Sequence, residues 1–250
     1  MPIGAMLSIL LSLLWWAPPA SCWGSLPPSM SARGGSPAKE VLVCTNTHCR
    51  KAGSEATLEI AKGLAPDGID VRSSGCHGGC GSGPNVHTMP ADEEYNGVFK
   101  AATIAAILEL DFGVAVPDGM VQAYGDLASG DDAFREGKFA EAAGLYDQCL
   151  GTRALEGRPQ ALSTVNLKQS RALRRLGDRH TEAEAAARQA IEAYRLNTAA
   201  WFHLSDVLAD KGDVEAALHV LESLAAEAPE RSVGERLEAK AERLRTMLQH

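Results

Sequence analysis

From about residue 119 onward the chain repeats itself with a period of about thirty-four residues, and no other feature restricts its folding as strongly. The clearest copy runs Trp201, Leu204, Ser205, Leu208, Gly212, Ala217, Leu221, Leu224 and Pro229. An earlier copy contains Gly130, Phe134, Gly137, Ala142 and Tyr146, with Cys149 at a small buried position. A middle copy over 166–190 places Gly177, Ala183, Ala187 and Ala190 after a one-residue turn insertion, and a longer loop at 151–160 precedes it. Large and small apolar residues at helical spacing, with glycine at each turn, describe a helix pair. One such pair cannot bury its apolar face alone, so the copies must stack into a continuous core.

This pattern resembles the tetratricopeptide repeat (TPR). The resemblance implies an all-α TPR solenoid of about three repeats plus a capping helix over 119–250. Ser232 and Glu235 form a capping-box pattern opening the last helix, over 231–249, and Leu237, Ala241, Leu244 and Leu248 give it one apolar face. It reads as the solvating cap. Domains of this family bind a segment of a protein partner in the groove lined by their first helices. In that register Tyr124, Leu127, Phe134, Arg171, Arg174, Phe202 and His203 are expected to face the groove. The alternative is that these residues only solvate the concave face. The best-known version of the groove grips a C-terminal carboxylate with Lys, Asn and Arg. Asp131, Ala199 and His203 stand at the corresponding places, so chaperone-tail binding is not expected.

Ahead of the repeats, four of the six cysteines fall within 37 residues, as Cys44-x4-Cys49 and Cys76-x3-Cys80. The surrounding pattern predicts strands over 40–44, 68–72, 86–89 and, shortest, 95–98. Helices are expected over 55–64, with Ser54 as N-cap, and over 100–110, with Ala101, Ile104, Ala105 and Leu108 on one face. The order βα-β-β-β-α makes a small α/β sandwich that needs a staple. Each cysteine pair follows a strand, so the sulfurs can converge from two neighbouring loops. Four thiolates at one point suit zinc or an iron–sulfur cluster, and an even, clustered set also allows disulfides or a labile dithiol. Structural zinc and dithiol redox enzymes favour C-x2-C, which neither pair has.

The stretches CTNTHCRKAGS at 44–54 and GCHGGCGSGPNV at 75–86 resemble the thioredoxin-like [2Fe–2S] ferredoxins, among them the small thioredoxin-like subunit of respiratory complex I and its plant and bacterial relatives. The resemblance implies an α/β thioredoxin-like domain over 40–112 with a [2Fe–2S] cluster on Cys44, Cys49, Cys76 and Cys80, and it matches Gly83-Pro84 to the family's Gly/Ala-Pro after the last ligand. The Cys49–Cys76 interval is short for the family, consistent with one brief helix and one strand between the loops. Glycines at 75, 78, 79, 81 and 83 would let backbone N–H groups approach the sulfurs, or serve only as loop makers. His48 and His77 could replace a cysteine in Rieske fashion, but with four cysteines present solvated loop histidines are the better reading.

The N-terminus is different in kind. Residues 3–16, IGAMLSILLSLLWW, form an uncharged apolar run, too short for a comfortable span and followed by Pro18 and Pro19. Residues 1–22 therefore read as a signal-type leader, although no Lys or Arg precedes the run. Residues 23–39 hold four serines, two basic residues and no acid, as a disordered transit segment would. Together they resemble the bipartite plastid presequences of algae with secondary plastids, which implies a plastid address and a mature protein without a transmembrane segment. The alternative is the secretory pathway, where oxidation would favour disulfides. Net charge is −8, with ten acidic against five basic side chains over 40–112 and twenty-two against seventeen over 113–250, so no nucleic-acid partner is expected. A short punctuated linker over 113–118, with Gly113 and Pro117, is expected to leave the two domains free of a rigid interface, in a monomer. The expected function is a non-catalytic electron-transfer or redox-sensing protein docked to a partner through its repeats. The alternative is an assembly or scaffold factor of a plastid complex, built on the repeats and with a purely structural metal site. No nucleotide loop, nucleophile–base pair or second cofactor signature supports an enzyme.

Overall fold

The computed structural model describes residues 38–79, 81–227 and 231–248, with only the backbone of residues 231 and 232. The leader, the transit-like segment through residue 37, Cys80, Pro229 and the side chain of Ser232 lie outside the described residues.

The first part of the chain builds a four-stranded sheet. Strand β1 (Lys39–Cys44) buries Val41 and Val43 and runs parallel to β2 (Ile69–Ser74), through the crossover helix α2 (Ser54–Leu64). Strand β3 (Val86–Met89) pairs antiparallel with β1 and with β4 (Glu93–Tyr95), giving the order β2-β1-β3-β4. Helix α3 (Ala101–Phe112) packs beside α2, with Ala101, Ile104 and Leu108 buried as its periodicity requires. Three expectations are corrected. A short helix α1 (Thr47–Lys51) stands where a loop is expected; Asn46 caps it by accepting the Thr47 N–H at 2.9 Å. Ser54 is not the N-cap of α2: Gly53 takes that place at φ 100°, and Ser54 Oγ is buried without a hydrogen-bond partner among the described residues. The fourth strand covers 93–95 and not 95–98, because Asp92 turns the chain at φ 58° and pairing resumes at once with Thr88 opposite Glu93. Val98 has left the sheet, its N–H donating to the Pro84 carbonyl at 2.9 Å.

The second part is a stack of helix pairs: α4 (Asp118–Arg135) with α5 (Phe139–Gly151), α6 (Pro159–Leu176) with α7 (His180–Ala193), and α8 (Thr198–Asp210) with α9 (Val214–Glu227). Helix α10 (Arg231–Leu248) closes it. Gly137, Gly177 and Gly212 occupy the same turn of each pair, at φ 80°, 83° and 84°, a conformation that costs a side chain but not glycine. On α10, Leu237 and Leu244 are buried, but Leu248 is 50% exposed; the apolar face stops a turn short of its expected length. Cys149 is packed, as expected, and burial pushes its thiol up to about 12.

The two parts share one core. Val41, Ile60, Leu64 and Ile104 are continuous with Tyr124, Leu127, Tyr146 and Val165, so residues 113–118 do not separate two independent cores. Helix α4 packs against both α2 and α3. A Cβ on Gly63 would lie 1.9 Å from the Tyr124 ring, so only glycine lets α2 approach this closely. Arg158, in the loop between α5 and α6, donates to the Gly63 carbonyl, and the same loop buries Leu155. Lys168 on α6 donates to both Glu59 oxygens at 2.9 Å and to Asp131 at 2.8 Å, and Asp131 also accepts the Tyr146 hydroxyl at 2.8 Å. Burial opposes the charge on Lys168, but the two carboxylates outweigh it and raise its pKa. That contribution to stability is complete below the ordinary lysine value and is lost only as pH rises through the raised one. The expectation of a loose linker fails because helix α4 starts at Asp118 and its first turns dock immediately, burying Met120 and Ala123.

Candidate functional site

Two places carry the residues singled out from sequence. The first is the end of the sheet where β1 and β2 stop side by side, with Cys44 opposite Ser74 in the parallel register. The chain after β1 turns into α1, which buries Cys49 and leaves His48 exposed. The chain after β2 reaches Cys76 two residues later. Cys44 lies close enough to Cys49 and Cys76 for both to act on its ionisation. Burial raises the Cys44 thiol, the Asn46 backbone N–H pulls the other way, and Cys49 and Cys76 raise it again. A thiol whose ionisation is disfavoured in this way is relieved by a bound cation, which deprotonates a coordinating thiol outright.

Cys76 is exposed, with its Sγ 3.4 Å from the Gly78 carbonyl, and Cys80 lies outside the described residues. As placed, no group of three His, Cys, Asp or Glu side chains among the described residues stands ready to hold a metal ion. The next loop nevertheless fits closely around the sulfurs. A Cβ on Gly83 would lie 2.6 Å from Cys49 Sγ and 3.3 Å from its Cα, so the backbone there touches the thiol. Asn85 holds that loop, its side-chain amide donating to the Gly79 carbonyl at 3.1 Å, while its backbone carbonyl accepts the Cys44 N–H at 2.9 Å. His77 does not join the cysteines: its Nε2 is 2.8 Å from Ser74 Oγ and its ring is 5.0 Å from that of His87.

The second place is the concave face of the repeats, and it divides in two. Tyr124 and Leu127 do not join the other five; they stand at the edge of a separate cleft of about 660 Å³ shared with Glu59 and Gly63 of α2. They are 4% exposed, with Tyr124 against Gly63 of α2; the chain's own helix covers the first repeat here. Phe134, Arg171, Arg174, Phe202 and His203 do come together, lining a cleft of about 640 Å³. Sequence reasoning missed Asp206 and Asp210, which stand four and eight residues after Phe202 and so share its helix face; that spacing could have found them. It also missed Arg236, which α10 brings in with the guanidinium 4.7 Å over the Phe202 ring. Arg174 Nε bonds Asp210 at 2.6 Å, and its guanidinium is 3.5 Å from Asp206. Lys240 Nζ bonds Asp206 at 2.5 Å and the Phe202 carbonyl at 2.9 Å.

His203 is buried, and its Nε2 lies 3.0 Å from Ser170 Oγ. Ser170 donates its own proton to the Ala183 carbonyl, so the serine oxygen accepts and His203 is protonated on Nε2. Burial, with Arg174 and Arg171 adding to it, pulls the imidazole down to about 4. The folded state keeps His203 neutral while the unfolded chain binds a proton below about 6.5. Stability is therefore expected to fall as pH drops from about 6.5 towards 4, by up to about 1.4 kcal/mol per pH unit from this group. Urea unfolding across that range should show a shallower slope for His203→Gln than for the native chain. Parallel slopes would refute the assignment.

A tetratricopeptide repeat family model matches residues 167–232. No match was found among curated proteins. Among solved structures, the chain is similar to the first TPR of Spaghetti (RPAP3) bound to the HSP90 peptide SRMEEVD, at 18% identity and a TM-score of 0.42, covering 52% of this chain and 94% of that one. It is also similar to the second TPR domain of human RPAP3 in complex with the HSP70 peptide SGPTIEEVD, at 18% identity and 0.42, covering 50% and 98%. The repeat matched by the family model falls on helices α6 to α9, the pairs whose turns carry Gly177 and Gly212.

Proposed function

We propose that residues 40–112 are a thioredoxin-like ferredoxin domain with a [2Fe–2S] cluster on Cys44, Cys49, Cys76 and Cys80, serving as a non-catalytic electron-transfer or redox-sensing unit that the repeats dock to a protein partner. The observation that carries this reading is the placing of Cys44 and Cys49 at one sheet end, with Cys76 in electrostatic reach and the backbone at Gly83 pressed against Cys49 Sγ. The strand order β2-β1-β3-β4 and the C-x4-C…C-x3-C spacing support it. When bound, the cluster supplies a reversible one-electron centre. The chain's own part is to deliver thiolates from two loops and to hold backbone around them, which sets the potential.

The protein matured anaerobically should carry two irons and two sulfides per chain, as this cluster type requires, with visible absorbance and a rhombic signal on reduction. One tightly bound zinc with no visible absorbance would end this reading. Reversible titration of the cluster separates a carrier from the second reading, an assembly or scaffold factor with a structural metal. That second reading is favoured by the shared core, which makes the cysteine domain a fixed part of the stack.

The plastid address rests on residues 1–39 alone, and no described helix is long and apolar enough to cross a membrane. A reporter fused to residues 1–39 should enter a plastid, and one fused to residues 1–22 should remain in the secretory route. Secretion of the longer fusion would refute the bipartite presequence.

A further inference from the structure

The cleft lined by Phe134, Arg171 and Phe202 does not end at α8. A second cleft of about 550 Å³, running along α10 to Met247, shares Phe202, Asp206, Asp210 and Arg236 with it, so the two form one continuous groove. Helix α10, expected only to shield the last repeat from water, is one wall of that groove.

The lining is strongly basic on a chain whose net charge is −8. Six cations face two carboxylates, Asp206 and Asp210, and both carboxylates are already bonded, to Lys240 and to Arg174. Arg171, Arg175, Arg236 and Arg243 are exposed and pair with no carboxylate among the described residues. Two of them are held over rings: Arg236 4.7 Å from the Phe202 centroid and Arg175 4.9 Å from that of Phe139. A guanidinium fixed in this way loses less freedom when its planar fork takes a carboxylate.

The cations are strung along the groove, from α6 to the far end of α10, and are not gathered at one point. Ala199 lines it and offers no side-chain donor, and His203 is neutral and already bonded to Ser170. Nothing here is shaped to seize a single terminal carboxylate. Resting on the docking role proposed above, we propose that the groove between α8 and α10 receives an acidic internal stretch of a partner protein, read through its side-chain carboxylates. The first repeat contributes only Phe134 to this groove, because Tyr124 and Leu127 are packed against α2 of the same chain.

The test uses the full chain and four labelled probes in fluorescence anisotropy: acetylated and amidated Glu-Ser, Gln-Ser and Lys-Ser repeat peptides, and an oligothymidylate. The Glu-Ser probe should bind at low salt, about tenfold or more tighter than the Gln-Ser probe, and should weaken as salt rises. Arg236→Glu with Arg243→Glu should weaken it about tenfold or more, with helix content unchanged by circular dichroism. Arg245→Glu should leave it unchanged; this exposed residue of α10 pairs with Glu242 and does not line the groove. Equal binding of the Glu-Ser and Gln-Ser probes, or an unaffected double variant, would overturn the acidic class while leaving a docking groove in place. Binding of none of the peptides would overturn both this inference and the docking role. Tighter binding of the oligothymidylate would replace a protein partner with a nucleic acid. None of these outcomes depends on the cysteines, so failure to find a cluster would be read separately.

Discussion

Gly63→Ala is expected to destabilise the whole chain, and not only the sheet domain, by about 3 kcal/mol. The added Cβ would sit 1.9 Å from Tyr124 Cζ and 2.1 Å from its hydroxyl oxygen, far inside contact distance. Tyr124 cannot swing aside cheaply: it is 4% exposed and packed in the core that α2 and α4 share. The Gly63 carbonyl also accepts from Arg158, so a backbone shift of α2 would break the clasp from the α5–α6 loop. Urea unfolding followed by sheet-sensitive and helix-sensitive signals should show a single transition in the native chain and a lower midpoint in the variant. The cost of Gly63→Ala should be smaller when measured in a Tyr124→Ala background, because the space the methyl group needs is then open. Two separate transitions in the native chain, or a loss below about 0.5 kcal/mol in the variant, would show that the shared core is not what joins the halves. By the same argument, residues 119–250 produced alone should be less stable than the native chain, since they would expose the face of α4 that carries Tyr124 and Leu127.

The second large effect concerns the sulfurs. Serine at Cys44, Cys49, Cys76 or Cys80 should abolish or distort the visible and paramagnetic signals of the reconstituted protein, because a hydroxyl is a poor ligand for iron in a sulfide cluster. Cys149→Ser should leave those signals intact, since Cys149 is packed between repeat helices with its thiol pushed up to about 12. Gly83→Ala should behave like a ligand substitution without removing a ligand. Its Cβ would meet Cys49 Sγ at 2.6 Å and the Cys49 backbone at 3.3 Å, and backbone cannot rotate away as a side chain can. Iron content and absorbance should fall in Gly83→Ala, and helix content by circular dichroism should stay near that of the native chain. Full occupancy in that variant would mean the loop does not cradle the cysteine site.

Much of the architecture could be read before the structure because it is locally encoded. Helix pairs need apolar residues at helical spacing and a turn that admits positive φ, and Gly137, Gly177 and Gly212 supply that turn without reference to anything distant. The strands at 39–44 and 86–89 likewise follow from short apolar runs. Local encoding also explains the errors. Helix α1 is five residues long, too short for periodicity to reveal, and its only local sign is Asn46 at the cap. Ser54 has the chemistry of an N-cap, but Gly53 can adopt φ 100° and takes the position, leaving the serine inside the first turn.

The groove shows the same division. An apolar helix face states that something must cover it and does not state what. Tyr124 and Leu127 fit a partner-facing surface as well as they fit α2, and only the docking of α2, permitted by the missing side chain at Gly63, decided between the two. Charge counting summed over 113–250 averages opposite faces and finds nothing basic. Stacking α6, α8 and α10 gathers Arg171, Arg174, Arg236 and Arg243 along one side, and that side is where charge can act on a partner. The sequence alone determined most of the segments that become helix or strand, because backbone conformation and side-chain spacing are short-range properties. The tertiary structure decided which faces remain open, because burial depends on which surfaces come together across many intervening residues.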